Sequence, residues 1–149
     1  MTLKPLKREQ LTCLIDILQK RIAESKLETR STLSDAIKTL ERGYDGRFMG
    51  AYVDDFDDPK HCLIMAHFPG MATKDVLANI CLIYSAPEER GNPENTTVLL
   101  QTAENYARMN SATSVVGTSW IYRGCKDSGP FWKANGFEVQ ETAYVKFLT

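Results

Sequence analysis

The chain has 149 residues, 43% of them hydrophobic and 25% charged, with a formal net charge of −1. That size and composition describe one globular domain, residues 1–149, and exclude a disordered or fibrous chain. The scattered Lys and Arg residues make nucleic acid an unexpected partner. No apolar run reaches the ~20 residues of a membrane span, and Met1–Gln10 lacks the pattern of a secretory signal, so a cytoplasmic protein is expected.

Leu3–Leu6 reads as a short strand. Leu11, Leu14, Ile15, Leu18 and Ile22 then recur at helical spacing, which predicts an amphipathic helix over residues 8–24. A second helix carries Leu33, Ile37 and Leu40, with Ser31 or Thr32 as its cap and Gly43 near its stop. From Arg47 the period changes to two. Phe48, Gly50 and Tyr52 alternate with Met49, Ala51 and Val53, and the acidic run Asp54–Pro59 is a hairpin tip. His61–Phe68 and Val76–Tyr84 follow as further strands, joined by turns too short for anything but antiparallel neighbours.

Residues 85–95 form a polar, turn-rich loop, and Thr96 or Thr97 is placed to cap the next helix. That helix buries Leu99, Ala103 and Tyr106, with Glu104 and Arg108 paired on its outer face. Thr113–Trp120 is rich in β-branched residues and returns as a parallel strand after the helical crossover. A short helix near Pro130–Asn135 stops at Gly136, and Phe137–Val139 with Ala143–Leu148 reads as a closing hairpin. The expected class is α/β (α+β): a mixed, mostly antiparallel central sheet with helices on both faces.

Cys13, Cys62, Cys81 and Cys125 form no CxxC pair. The first three fall on apolar faces and read as buried free thiols of a reducing compartment. His61 and His67 share one run without the converging ligands that a metal needs, so no metal is expected.

The loop at residues 85–96 carries the chemistry. A loop entering a helix N-terminus gathers unpaired N–H groups and the positive end of the helix dipole, which suits an anion. The element order, the run Pro87-Glu88-Glu89-Arg90-Gly91-Asn92, and the run Pro130-Phe131-Trp132-Lys133-Ala134-Asn135-Gly136-Phe137-Glu138 resemble the GNAT superfamily of N-acyltransferases over essentially the whole chain. That resemblance implies acetyl-CoA as cofactor and an amine as acetyl acceptor. Arg90 would open the pyrophosphate loop, and Gly91, Asn92 and Asn95 would continue it. Ser85 would meet the acyl carbonyl and pantetheine, and Thr96 would be the first helical contact to phosphate. No metal, nucleic acid or membrane is implied, and a homodimer is allowed.

Three departures bear on activity. Pro93 and Asn95 stand where the family has small residues, and Pro93 has no N–H to donate. Trp132 stands where many members carry a tyrosine that protonates the departing thiolate. The strand Val76–Tyr84 offers no Asp or Glu as a base. The sequence therefore names no catalytic residue, although Tyr84 and Tyr122 are chemically capable relays. Tyr122 and Arg123 border the expected ligand crevice, and Tyr44 and Asp45 fall where acceptor specificity is shaped in the family. Two readings remain: an acetyl-CoA-dependent N-acetyltransferase acting on a primary amine of a small molecule or protein, or a non-catalytic binding or structural protein whose cofactor site has decayed.

Overall fold

Alternation along the central strand organises both faces of the sheet. The structure, a computed structural model, describes residues 1–24, 33–70, 74–119, 127–140, 144 and 146. Among the described residues, five strands pair in the order β1 (Lys4–Pro5), β2 (Met49–Val53), β3 (His61–Pro69), β4 (Val76–Ser85) and β5 (Ser114–Val116). The first four are antiparallel neighbours, and β5 lies parallel to β4. On β3, Cys62 and Ile64 point to one face and Leu63 and Met65 to the other, and all four are buried. A strand covered on both sides has to be apolar throughout, which explains its continuous run.

A 3₁₀ helix (Arg8–Leu14) leads into α1 (Ile15–Glu24), and with α2 (Leu33–Asp45) these cover the first face through Leu11, Leu14, Ile17 and Leu40. The second face receives α3 (Pro93–Met109) and α4 (Gly129–Ala134) through Leu99, Ala103, Tyr106 and Trp132. Helix α3 comes close because Gly50 on β2 has no side chain; a Cβ there would sit 2.9 Å from the Tyr106 ring. The Tyr106 hydroxyl is then bonded to His67 Nδ1 at 2.7 Å and donates to the Phe48 carbonyl at 3.3 Å.

Several expectations need correction. The segment over residues 8–24 starts as 3₁₀ rather than α, opening with the Gln10 N–H on the Lys7 carbonyl. Its buried stripe uses Ile17, while Ile22 is exposed. Gly43 does lie near the stop of its helix, which ends at Asp45, and it is buried because the Met49 side chain packs against it. The cap of α3 is Asn92, whose Oδ1 accepts from the Glu94 N–H at 3.0 Å, and not Thr96 or Thr97. Cys81 is exposed, not buried. Phe137–Val139 forms no strand: Gly136 at φ +87° and the Phe137 N–H on the Trp132 carbonyl fold the chain back onto α4. The caps Ser31 and Thr32, along with Cys125 and most of Ala143–Leu148, lie outside the described residues.

Candidate functional site

The site begins where the sheet opens. Strand β5 pairs with β4 only from Leu77 to Asn79. Just beyond, the β3–β4 register shifts between Ile64 and Met65, so that Cys81 is an extra residue on β4. Such a bulge bends the strand and breaks its ladder. Trp132 follows the divergence from below: its ring lies so close to Gly117 that a Cβ there would sit 2.7 Å away. Phe131 and Phe137 stack edge-on against the same ring, at 4.9 and 5.0 Å between centroids.

The rest of β4 therefore borders a cleft of about 330 Å³, walled by Ile80 to Ser85, Phe131 and Trp132, with Arg21, Glu24 and Arg90 on its rim. The ladder also fixes which backbone groups face it. The Ala86 N–H bonds the Lys60 carbonyl, so the alternation of an antiparallel pair turns the N–H and C=O of Ser85 and Ile83 away from β3, towards the open edge.

At the far end of that edge the chain turns into α3. The Pro87–Glu89 turn is fastened by Lys60 Nζ on Glu88 Oε1 at 2.9 Å, and this partner holds the Glu88 carboxyl below the usual carboxylate range. Gly91 then adopts φ +86°, with open space where a side chain would be. Pro93 is the first helical residue, a position whose N–H has no intrahelical partner in any case. Among the described residues the N–H groups of Gly91, Asn92 and Asn95 have no hydrogen-bond partner. These three amides lie at the positive end of a 17-residue helix, the kind of group that can receive an anion.

Of the residues expected at the site, Ser85 and Arg90 come together directly: Arg90 Nε donates to the Ser85 carbonyl at 2.8 Å. Asn92 caps, Gly91 turns, and Asn95 reaches Glu89 at 3.5 Å. Thr96 is the fourth helical residue, and both its N–H and its hydroxyl donate to the Asn92 carbonyl, at 3.3 and 3.5 Å. Tyr44 serves the fold: its hydroxyl donates to the Leu6 carbonyl and accepts from the Ala51 N–H, both at 2.9 Å. Asp45 pairs with Arg8 at 2.7 Å. Tyr122 and Arg123 lie outside the described residues.

Two features were missed by sequence reasoning. Glu24 on α1 accepts from Arg90 Nη2 with both carboxylate oxygens, at 2.9 and 3.0 Å, and no sequence signal links residues 66 positions apart. The second is a polar cluster beneath the start of α3, where buried His61 lies 2.9 Å from Ser85 Oγ through Nδ1 and 4.0 Å from Glu89 through Nε2. Among the described residues no three His, Cys, Asp or Glu side chains group as a metal site.

No protein-family model matches the chain, and neither does any curated protein. Solved structures do. A predicted acetyltransferase from Clostridium acetobutylicum, crystallised with acetyl-CoA, superimposes with a TM-score of 0.75 at 15% identity, covering 99% of this chain and 95% of that one. A ribosomal-protein-alanine N-acetyltransferase from Brucella melitensis biovar Abortus gives 0.72 at 14%, over 99% and 100%. The fold is that of the GNAT acetyltransferases. A third GNAT neighbour, an aminoglycoside acetyltransferase from an uncultured soil metagenomic sample in complex with sisomicin, gives 0.71 at 10%, over 99% and 95%. At these identities the likeness concerns the fold. Among the described residues no helix is long and apolar enough to cross a membrane.

Proposed function

We propose that the chain is an acetyl-CoA-dependent N-acetyltransferase that moves an acetyl group to a primary amine of a small molecule or protein. The observation that carries this reading is the continuity of the open β4 edge with the amide-lined turn at the head of α3. An extended chain bearing amides finds donors and acceptors along Ile83 and Ser85, and an anion joined to it finds the N–H groups of Gly91, Asn92 and Asn95. The donor set fits a pantetheine linked to a pyrophosphate. Pro93 does not cross the cleft and removes one donor of several. Bound acetyl-CoA would supply an acyl group activated as a thioester.

The residues of this chain would supply binding and exclusion of water. Trp132 and Phe131 make one wall apolar, and Ser85 and Arg90 hold the loop against the strand. Calorimetric titration with CoA and with desulfo-CoA tests the reading, followed by CoA release over a broad panel of amines. Both ligands are expected to bind alike, because the pyrophosphate seat does not see the sulfur. The absence of binding, or of transfer to any amine, would remove the enzyme.

A second reading keeps the fold without chemistry, as a binding or structural protein with a decayed site. It is favoured by the Arg90–Glu24 pair, in which a carboxylate holds the guanidinium expected for phosphate, and by Trp132, which has no acidic proton to give at neutral pH. Binding of CoA without any transfer would favour it.

A further inference from the structure

Arg90 is committed within the chain. Its Nε donates to the Ser85 carbonyl at 2.8 Å, and its Nη2 donates to both oxygens of Glu24 at 2.9 and 3.0 Å. The guanidinium also lies over the Tyr84 ring, 5.5 Å from its centroid. It therefore straps the end of α1 to the end of β4. Its charge is balanced by Glu24, and drawing it away would leave that carboxylate unpaired. A phosphate reaching the head of α3 gains little net attraction from such a group.

Helix α1 carries another cation to the same rim. Ile17 is buried in the core, and Lys20, Arg21 and Glu24 follow it by three, four and seven residues, so one stripe of the helix runs from the core out to the cleft. Two contacts fix where that stripe lands. Glu24 sits on Arg90, and Lys20 is near enough to the Pro87–Glu89 turn to add to the hold that Lys60 has on the Glu88 carboxylate, which keeps that group below its usual range. Arg21, one turn before Glu24, lines the cleft together with Ser85 and Arg90. It is exposed and has no hydrogen bond or ion pair among the described residues. Its guanidinium therefore has its donors and its charge free, in the planar arrangement that matches phosphate oxygens.

We propose that Arg21, and not Arg90, is the arginine that binds the cofactor's pyrophosphate in this cleft, an inference that rests on the acetyltransferase reading above. Arg21 meets the pyrophosphate from the α1 side, and the amides of Gly91, Asn92 and Asn95 meet it from the α3 side. Arg90 keeps its pairing with Glu24 and acts as a positioning residue, because the strap holds α1, and with it Arg21, against the turn. The attraction comes from an exposed charge, so salt screens it.

Calorimetric titration with CoA tests this, with thermal melting to confirm that each variant folds. Arg21→Gln is expected to weaken CoA about five- to tenfold at low salt without a change in Tm, and Arg21→Lys to recover part of the loss. The gap should shrink as salt is raised. Dephospho-CoA, which keeps the pyrophosphate and lacks the ribose phosphate, should lose the same factor. Arg108→Gln removes an equal charge from the outer face of α3 and should bind CoA like wild type. In the Arg90→Gln background, Arg21→Gln should cost less than in wild type, because the strap is gone; an equal cost would remove the positioning role of Arg90. If Arg21→Gln binds CoA as tightly as wild type, or no more weakly than Arg108→Gln, the proposal is overturned and the acetyltransferase reading stands. A loss that vanishes with dephospho-CoA also overturns it, by moving the contact to the ribose phosphate. If wild type itself does not bind CoA, that reading fails and takes the proposal with it.

Discussion

His61 Nδ1 lies 2.9 Å from the Ser85 hydroxyl, a bond that joins the first residue of β3 to the last residue of β4 directly beneath the start of α3. The imidazole is buried and also faces Glu89, so it ties the sheet to the turn that precedes the amides of Gly91, Asn92 and Asn95. Replacing His61 with Ala leaves the Ser85 hydroxyl and a space without partners. The expected cost is about 2 kcal/mol, or roughly 5–10 °C in Tm, together with weaker CoA binding. Asn at this position keeps a polar atom near that of Nδ1 and should recover part of both losses. Equal losses for Ala and Asn, read by thermal melting and calorimetry, would assign the effect to volume rather than to the bond.

Gly91 tests the turn itself. Its φ of +86° is costly for any residue with a Cβ, and the space around it is open, so a substitution meets strain without a clash. Gly91→Ala is expected to lose about 1 kcal/mol and Gly91→Asn less, with unchanged m-values in urea. The same order should appear in CoA affinity, because a turn that relaxes its φ redirects the N–H groups of Gly91 and Asn92. A variant that loses stability but keeps full CoA affinity would separate the turn from the site.

How much of this was legible differs by element. The 62–65 stretch of β3 announces itself, since both of its faces are buried and every residue is apolar. The helical stripe of Leu99, Ala103 and Tyr106 and the stop at Gly136 were equally plain, being set by local periodicity and backbone conformation. The bulge at Cys81 was not, because it depends on register against β3 and changes no residue pattern. It alone turned a residue expected to be buried into an exposed one on the cleft. The cap of α3 was misread because Thr96 and Thr97 are good caps in isolation, while Pro93 at the first helical position makes Asn92 the residue that fits. Glu24 and His61 gained their meaning only from contacts across the fold.

Pro93 predicts opposite effects on stability and binding. Pro93→Ala frees the unfolded chain and should cost about 0.4–1 kcal/mol. It also restores an N–H at the first helical position, next to the amides of Asn92 and Asn95, and one donor to a charged ligand corresponds to about a tenfold gain in CoA affinity. Denaturant unfolding and calorimetry on the same protein check both halves. Unchanged affinity would mean that this amide does not face the ligand.

Cys81 reports on the cleft directly. It is exposed at the bulge, although partial desolvation raises its thiol above the ordinary range; Cys62 is fully buried and is pushed much higher, leaving almost no thiolate to react. Iodoacetamide followed by peptide mass spectrometry is expected to label Cys81 and spare Cys62. Saturating CoA should slow labelling of Cys81 severalfold. Undiminished labelling of CoA-bound protein would put the ligand elsewhere.

The lower wall of the cleft depends on pH through Asp127. Its Oδ1 accepts from the Ser119 hydroxyl at 2.7 Å and from the Gly129 N–H at 2.8 Å, and Ser119 Oγ in turn accepts from the Ser128 N–H at 2.8 Å. This network fixes the start of α4, and with it Trp132, against the chain that follows β5. The Ser119 hydroxyl, followed by the Gly129 N–H, lowers the Asp127 pKa below its ordinary value. A carboxyl with a lower pKa in the folded than in the unfolded state stabilises fully above the unfolded value, about 3.9, and loses that contribution as pH falls through the folded one. Asp127→Asn should therefore be less stable than wild type at pH 6, and the gap should narrow as pH falls from about 5 to 3. Urea midpoints for the two proteins at several pH values measure it directly. A gap that stays constant over that range would show that the carboxylate charge is not what fastens α4 to the sheet.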